Sequence, residues 1–151
     1  MPRIQQKLSV DFGSAFIRMQ LASKEYILKE PSCIANYYEV NQTDQFMALG
    51  SLALQMQGRV SKSIRVIKPI QDGDIVNFEA AEDIFKRLIH RIQGRMLWMG
   101  PHVVICIPSQ IHQVQRRAIQ RLCTVSGARK ITLVERSLAV ARAIGLTIDD
   151  P

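Results

Sequence analysis

Short apolar runs separated by turn residues open the chain and predict three strands, at about Lys7–Asp11, Phe16–Leu21 and Tyr26–Leu28. Residues 31–76 carry turn signals and few long periodic runs. This change of pattern predicts a small subdomain over residues 32–76, inserted into a larger lobe made of residues 1–31 and 77–151.

A helical pattern begins near Asn77 and ends at Gly94. Acidic residues precede the apolar positions and basic residues follow them, as the helix dipole favours. A glycine at the end suits the helix terminus. The apolar face predicted for this helix is Ile84, Phe85, Leu88, Ile89 and Ile92.

The second half of the chain predicts a buried strand over Val103–Ile107, because its apolar run is continuous and ends at Pro108. Ser109 is the predicted cap of the next helix. A strand over 130–134 and a helix over 137–144 follow. The order of elements is that of an RNase H-like α/β domain with a mixed five-stranded sheet. The apolar face predicted for the middle helix is Ile111, Val114, Ala118, Leu122 and Val125.

Composition indicates one folded domain, since the chain has 151 residues and 47% of them are hydrophobic. Neither a signal peptide nor an apolar stretch of about 18 residues is apparent. Cysteine spacing indicates no disulfide framework and no zinc site, so a cytoplasmic location is expected. The histidines show no ligand spacing, and no metal site is predicted from them. These residues are Cys33, Cys106, Cys123, His90, His102 and His112.

Positive charge is concentrated late in the chain, whose formal net charge is +7. Anionic lipid and nucleic acid are the polyanions that such a surface attracts. The alternative is a domain without the acidic complement of a larger protein. The basic residues beyond Gly100 are Arg116, Arg117, Arg121, Arg129, Lys130, Arg136 and Arg142.

The stretch from Leu8 to Leu21 contains the strongest candidate binding site. An apolar strand runs into Asp11, turns at Gly13-Ser14 and returns as a second strand. Backbone N–H groups in such a turn form a concave site for a phosphate or a Mg²⁺-phosphate. An ordinary hairpin also fits this stretch when it is taken alone.

An ordered series of further motifs favours the phosphate site. In this order and spacing, the chain resembles the amino-terminal half of the MreB family of actin-like proteins. The resemblance implies binding of ATP with Mg²⁺, self-association into filaments, guidance of the cell-wall synthesis machinery, and a cytoplasmic position at the anionic inner face of the cell membrane. The motifs are Pro31–Ala35, Ala48–Gly50, Met56–Arg59, Ile67–Phe78, Val103–Ser109, Val114–Ile119 and Ser126–Arg129.

Two departures from the family pattern bear on ATP. Phe16 and Ile17 stand where the family's phosphate loop has polar residues, and Arg136 aligns with its catalytic Glu. A guanidinium cannot accept a proton from water. We therefore expect weak or no ATP binding, no efficient hydrolysis and no catalytic residue. The nucleotide-binding residues implied by the resemblance are Asp11, Gly13, Ser14, Ala15 and Phe16.

A glycine-bounded loop carries four large apolar residues, including the only Trp. The corresponding loop of the family dips into the membrane, and Trp prefers the membrane interface. The alternative is that these residues cover the end of the sheet. The predicted membrane-binding residues are Arg95, Met96, Leu97, Trp98 and Met99, with Arg91 nearby.

Three functions remain open from the sequence. The first is a cell-shape-determining filament protein that binds copies of itself or a full-length actin-like homologue. The second is a single-lobe regulatory or vestigial module without ATPase activity, since the family's second phosphate loop and second lobe would follow residue 151. The third is an RNase H-like nuclease, which needs further carboxylates near Asp11. The sequence offers none at the end of the 103–107 strand, so no nucleic-acid partner is expected.

Overall fold

A computed structural model describes residues 6–39, 44–94 and 100–146 of the chain. These residues form ten strands and four helices. The strands are β1 (Lys7–Phe12), β2 (Phe16–Leu21), β3 (Leu28–Pro31), β4 (Ile34–Tyr37), β5 (Gln45–Leu49), β6 (Ile64–Ile67), β7 (Ile70–Gln71), β8 (Asp74–Ile75), β9 (His102–Ile107) and β10 (Lys130–Glu135); the helices are α1 (Ser51–Met56), α2 (Phe78–Gln93), α3 (Gln113–Val125) and α4 (Arg136–Ala143).

A mixed five-stranded sheet in the order β10-β9-β1-β2-β3 forms the centre of the fold. Strands β1, β9 and β10 are parallel, and β2 and β3 continue the sheet antiparallel. The short turn after β1 permits the antiparallel β1–β2 pair, whereas the parallel pairs need the longer crossovers that contain α2 and α3. The predicted fold class is therefore confirmed.

One face of this sheet packs against α2 and α3 and forms the core. The predicted apolar face of α2 is confirmed, because all five of its residues are buried. In β1, Leu8, Val10 and Phe12 alternate toward the same core. The rings of Phe12 and Phe85 meet edge to face with centroids 5.4 Å apart.

Both ends of α2 lie where the sequence predicts them. The Asn77 side chain caps the helix by accepting a hydrogen bond from the Ala80 N–H at 3.0 Å. Gly94 ends it with φ 65°, a conformation that glycine adopts without a steric penalty.

The predicted third strand, Tyr26–Leu28, is wrong in its position, because β3 begins only at Leu28. Tyr26 and Ile27 are exposed, and they precede the strand. The Gln20 side chain donates to the carbonyls of the connecting residues Lys24 and Glu25, at 3.3 and 3.4 Å. An apolar run alone does not show that this connection is a turn.

The predicted cap of α3 is also wrong. The helix begins after His112, whose backbone N–H donates to the Gln115 side chain at 3.1 Å. The Ser109 hydroxyl lies instead 2.7 Å from the Ser137 hydroxyl. Residues between Pro108 and the helix therefore form a longer loop than the sequence indicates.

The buried face of α3 is rotated from the predicted one. Ile119, Leu122 and Cys123 are buried, whereas Val114 is 78% exposed. Similarly, Val103–Ile107 is not buried on both faces, because its residues alternate between buried and half-buried. Among the described residues, α4 packs against β9 and β10. The alternate residues of β9 on this second face of the sheet stay half-buried, so the face is incompletely covered.

A second, three-stranded sheet in the order β5-β4-β6 lies within residues 34–67. Together with α1 it encloses a small core of Cys33, Ala35, Ala48 and Ala53. The division of the chain into a lobe and an inserted subdomain stays a prediction. None of the helices described is long and apolar enough to span a membrane.

Candidate functional site

Asp11 lies near the carboxyl end of β1. In parallel α/β folds, ligands bind at this end of the sheet, just beyond the carboxyl ends of the strands. In the sheet it is opposite Cys106 of β9 on one side and Arg18 of β2 on the other. Arg136, the first residue of α4, follows the carboxyl end of β10 directly. The topology therefore brings one carboxylate and two guanidinium groups to the same edge.

Both oxygens of Asp11 receive a hydrogen bond from arginine. Arg18 Nη1 lies 3.0 Å from Oδ2, and Arg136 Nη2 lies 3.0 Å from Oδ1. The side chains of Asp11, Arg18 and Arg136 are 33%, 45% and 52% exposed. Such open ion pairs contribute little stability, about 0–1 kcal/mol each. Their main effect is on the local electrostatic potential. The three residues, called the Asp11 triad below, carry one negative and two positive charges, a net charge of +1.

The turn from Gly13 to Phe16 is closed by a hydrogen bond from the Gly13 N–H to the Phe16 carbonyl at 3.1 Å. A Cβ on residue 13 would lie only 3.0 Å from that carbonyl oxygen, so glycine suits this position. Ser32 fastens the turn from outside: its hydroxyl donates to the Gly13 carbonyl at 2.6 Å, and its N–H donates to the Ala15 carbonyl at 3.0 Å.

The hydroxyl of Ser14 accepts a hydrogen bond from the Gly73 N–H at 3.2 Å. Gly73 belongs to the β7–β8 turn, far away in sequence. Ser14 is identifiable from the sequence, whereas Gly73, which bonds to it, and Ser32, which bonds to Gly13 and Ala15, are not. Contacts of this kind depend on chain crossings that no local pattern records.

The two apolar departures in the turn have different environments. Ile17 is 1% exposed and belongs to the core. Phe16 lies at the surface, where the ammonium of Lys29 is 4.4 Å from its ring centroid and Arg18 is 5.8 Å from it. Because the Ile17 side chain is buried and apolar, it cannot contact a ligand. The turn can therefore offer a phosphate only its backbone N–H groups and the Ser14 hydroxyl.

A cavity of about 320 Å³ adjoins the triad on the incompletely covered face of the sheet. Asp11, Arg18 and Gln20 form part of its polar lining, and Val134 part of its apolar lining. Cys106 also lines it, and burial raises the pKa of this thiol, with a further increase from Asp11 and an opposing decrease from Arg136. The thiol is therefore protonated near neutral pH.

Magnesium, which the family resemblance implies, does not fit Asp11. A Mg²⁺ ion requires free oxygen ligands, and it usually binds through one or two carboxylates together with phosphates. Both oxygens of Asp11 face guanidinium groups, which repel a divalent cation. Glu135 is no substitute, because it lines a separate cavity with Arg116 and Arg142.

The predicted membrane loop, Arg95–Met99, lies outside the described residues. Arg91, which the sequence associates with it, pairs with Glu30 of β3 at 2.6 Å. Glu30 also accepts a hydrogen bond from the Ser51 N–H at the start of α1, at 3.1 Å. This Glu30 clasp joins α2 to the three-stranded part of the fold, so Arg91 has a structural partner of its own.

The fold and the hairpin at its edge define the class: this is a lobe of the actin-like type, and similar solved structures bear this out. The structure of MreB5 of Spiroplasma citri bound to AMPPNP matches with a TM-score of 0.83 and 28% identity, over 99% of this chain and 44% of that one. The same protein bound to ADP matches with a TM-score of 0.81. A non-polymerising mutant of MamK bound to AMPPNP, at 14% identity and a TM-score of 0.72, supports the fold alone.

The chain belongs to the MreB/Mbl family, whose model (MreB/Mbl protein) matches residues 5–151. It is 31% identical over 144 residues to the cell shape-determining protein Mbl of Bacillus subtilis. It is also 31% identical over 145 residues to the cell shape-determining protein MreB of Escherichia coli. In both cases 95% of this chain is covered, and the chain spans 42% of the relative.

Proposed function

We propose that this chain is an actin-like, cell-shape-determining module that joins filaments of its own kind or of a full-length homologue without efficient ATP hydrolysis. The observation that carries this proposal is the combination of a family fold with an altered site. The five-stranded sheet and the turn after β1 are present. Arg136, which the family resemblance aligns with the catalytic Glu, contacts Asp11 at 3.0 Å.

Loss of hydrolysis follows from the chemistry of that contact. A general base must accept a proton from the attacking water, and a guanidinium remains protonated at any accessible pH. Glu135 lines a different cavity. The Gly13–Phe16 turn retains backbone donors, so the proposal includes weak contact with the phosphates of a nucleotide but no turnover.

The proposal also includes attachment to the inner membrane face and guidance of cell-wall synthesis. The family resemblance of the Arg95–Met99 loop supports the first, and the family's cell-shape role supports the second. A net charge of +7 agrees with an anionic surface as the partner. Avidity would strengthen the attachment, because linked copies in a filament bind a surface far more tightly than one copy does.

Co-sedimentation with a polymerised full-length MreB relative tests the filament role. We expect the chain to pellet with filaments, to saturate at a fixed ratio, and to release no phosphate above background. A chain that stays in the supernatant at every filament concentration would contradict the proposal. Magnesium-dependent cleavage of DNA or RNA would favour the nuclease alternative.

The single-lobe regulatory alternative differs in its effect on the filaments. A module that caps or severs them would lower the pelleted fraction of the full-length relative as the chain is added. A subunit that joins them would leave that fraction unchanged or raise it. Quantifying both proteins in the same pellet therefore separates the two readings.

A further inference from the structure

We infer that Arg136 and Arg18 replace a divalent cation at this edge of the sheet, so that the Gly13–Phe16 turn binds a polyphosphate anion without magnesium. The inference rests on the proposed nucleotide contact of that turn. It specifies the class of ligand and identifies the two arginines as the positive charge that binds it. The ligand is a di- or triphosphate group, whether free or carried by a nucleoside.

The geometry supplies donors as well as charge. A guanidinium has five N–H donors. The contacts with Asp11 are made by one nitrogen of each arginine, Nη1 of Arg18 and Nη2 of Arg136. Because both side chains are about half exposed, at 45% and 52%, they are accessible to a ligand from solvent. Arginine is also the side chain best matched to phosphate oxygens.

The position of the triad agrees with this function. Arg18 is directly opposite Asp11 in the β1–β2 hairpin, whose turn starts two residues later at Gly13. Arg136 comes from α4, so the two cations approach the same carboxylate from different elements. Asp11 holds them together, and its negative charge opposes an incoming phosphate.

The effect of Asp11→Asn on polyphosphate affinity has opposite signs for this arrangement and for a metal site. If Asp11 were a metal ligand, Asp11→Asn would weaken polyphosphate binding in the presence of Mg²⁺. If Asp11 competes with the phosphate for the arginines, Asp11→Asn strengthens binding in the absence of metal. The substitution is nearly isosteric, so the sign reports the role of the charge.

The experiment is a titration of the ¹⁵N-labelled chain with ATP or inorganic triphosphate, followed by the amide resonances of Gly13, Ser14 and Ala15. It is run with EDTA and again with excess Mg²⁺, and adenosine serves as the control without phosphate. We expect shifts in EDTA, an affinity no more than about twofold tighter with Mg²⁺, and a gain of roughly fivefold for Asp11→Asn.

Two arginine variants complete the design. Arg136→Gln should weaken binding by about fivefold or more, since it removes a charged donor. Arg142→Gln, the same change on the same helix, should leave the affinity within about twofold. Shifts with ATP but not with triphosphate would identify the nucleoside as part of the ligand; shifts with both would identify the phosphate group alone.

Several results would overturn the inference: shifts that require Mg²⁺, weaker binding by Asp11→Asn, equal effects of the two arginine variants, or no shift with any anion up to about 10 mM. Binding by adenosine alone would overturn it as well. Co-pelleting with filaments is measured separately. A failed polyphosphate titration therefore does not contradict the filament role, and a failed co-pelleting assay does not contradict the polyphosphate site.

Discussion

Replacement of Glu30 by alanine removes the contacts that this residue makes with Arg91 of α2 and Ser51 of α1. The Glu30 side chain is 12% exposed, and one of its oxygens lies 2.6 Å from Arg91 Nη1 of α2. The other accepts the Ser51 N–H at 3.1 Å, at the start of α1. Gly50 is closely packed here, since a Cβ on it would lie 2.1 Å from the carboxylate.

The cost follows from the two contacts. The Ser51 N–H is a helix-terminal donor, and loss of such a cap costs about 1 kcal/mol. The ion pair with Arg91 adds about 1 kcal/mol, reduced by solvent because Arg91 is 57% exposed and can be rehydrated. With the ion pair discounted to about half, we expect Glu30→Ala to lower the free energy of unfolding by about 1.5 kcal/mol, and Tm by roughly 3–6 °C.

Urea denaturation followed by circular dichroism measures this change. Glu25→Ala is the matched control, because Glu25 is exposed and its effect should stay within about 0.5 kcal/mol. A double-mutant cycle with Arg91→Ala should give a coupling energy of about 0.5 kcal/mol. An unfolding free energy of Glu30→Ala equal to that of Glu25→Ala would refute the reasoning.

Four further predictions concern other parts of the molecule. Calorimetry with Mg-ATP should show no affinity tighter than about 100 µM, or roughly −5.5 kcal/mol. Trp98 fluorescence should shift to the blue with anionic liposomes, and Leu97→Ser with Trp98→Ser should reduce pelleting with them. Gly100→Ala should destabilise the fold by about 2 kcal/mol in urea denaturation, since its Cβ would lie 1.9 Å from the Gly127 carbonyl oxygen. Burial raises the pKa of the Cys123 thiol from 9.0 to about 12, so its contribution to stability should be lost as pH rises through that range, and Cys123→Ala should reduce the loss.

Each of these has a result that would contradict it. A tight, magnesium-dependent isotherm would oppose the first, and steady phosphate release abolished by Asp11→Ala would oppose it too. A Trp98 already blue-shifted without lipid, whose replacement unfolds the domain, would show that the loop is core. An unchanged denaturation midpoint for Gly100→Ala, or equal stability losses from pH 9 upward for Cys123→Ala and the wild type, would refute the other two.

Strong periodicity and capping residues made α2 predictable. Its five apolar positions and both ends lie as expected, because Asn77 and Gly94 act locally. The third strand and the start of α3 were misplaced, because side chains bond to the backbone of the irregular segments before them. Gln20 donates to the Lys24 carbonyl, and Gln115 accepts from the His112 N–H. Local patterns do not determine which of several polar residues makes such a bond.

The candidate site was predictable only in part. Asp11 and the Gly13 turn were identified from the sequence, and the family resemblance pointed to Arg136. Arg18 was missed as a partner, although the hairpin register places it opposite Asp11 and could have indicated the pair. Contact between Arg136 and Asp11, 125 residues apart, depends on the sheet order and was beyond any local pattern.

The proposed site depends most on Asp11 being held by arginine and not by a metal ion. Paramagnetic broadening by Mn²⁺, a substitute for Mg²⁺, tests this directly in the ¹⁵N-labelled chain without nucleotide. We predict that the amides of Asp11 and Phe12 broaden no more than those of other exposed acidic segments, and that Arg136→Glu makes them broaden selectively. Selective broadening at Asp11 in the wild-type chain, at the same Mn²⁺ concentration, would contradict the account.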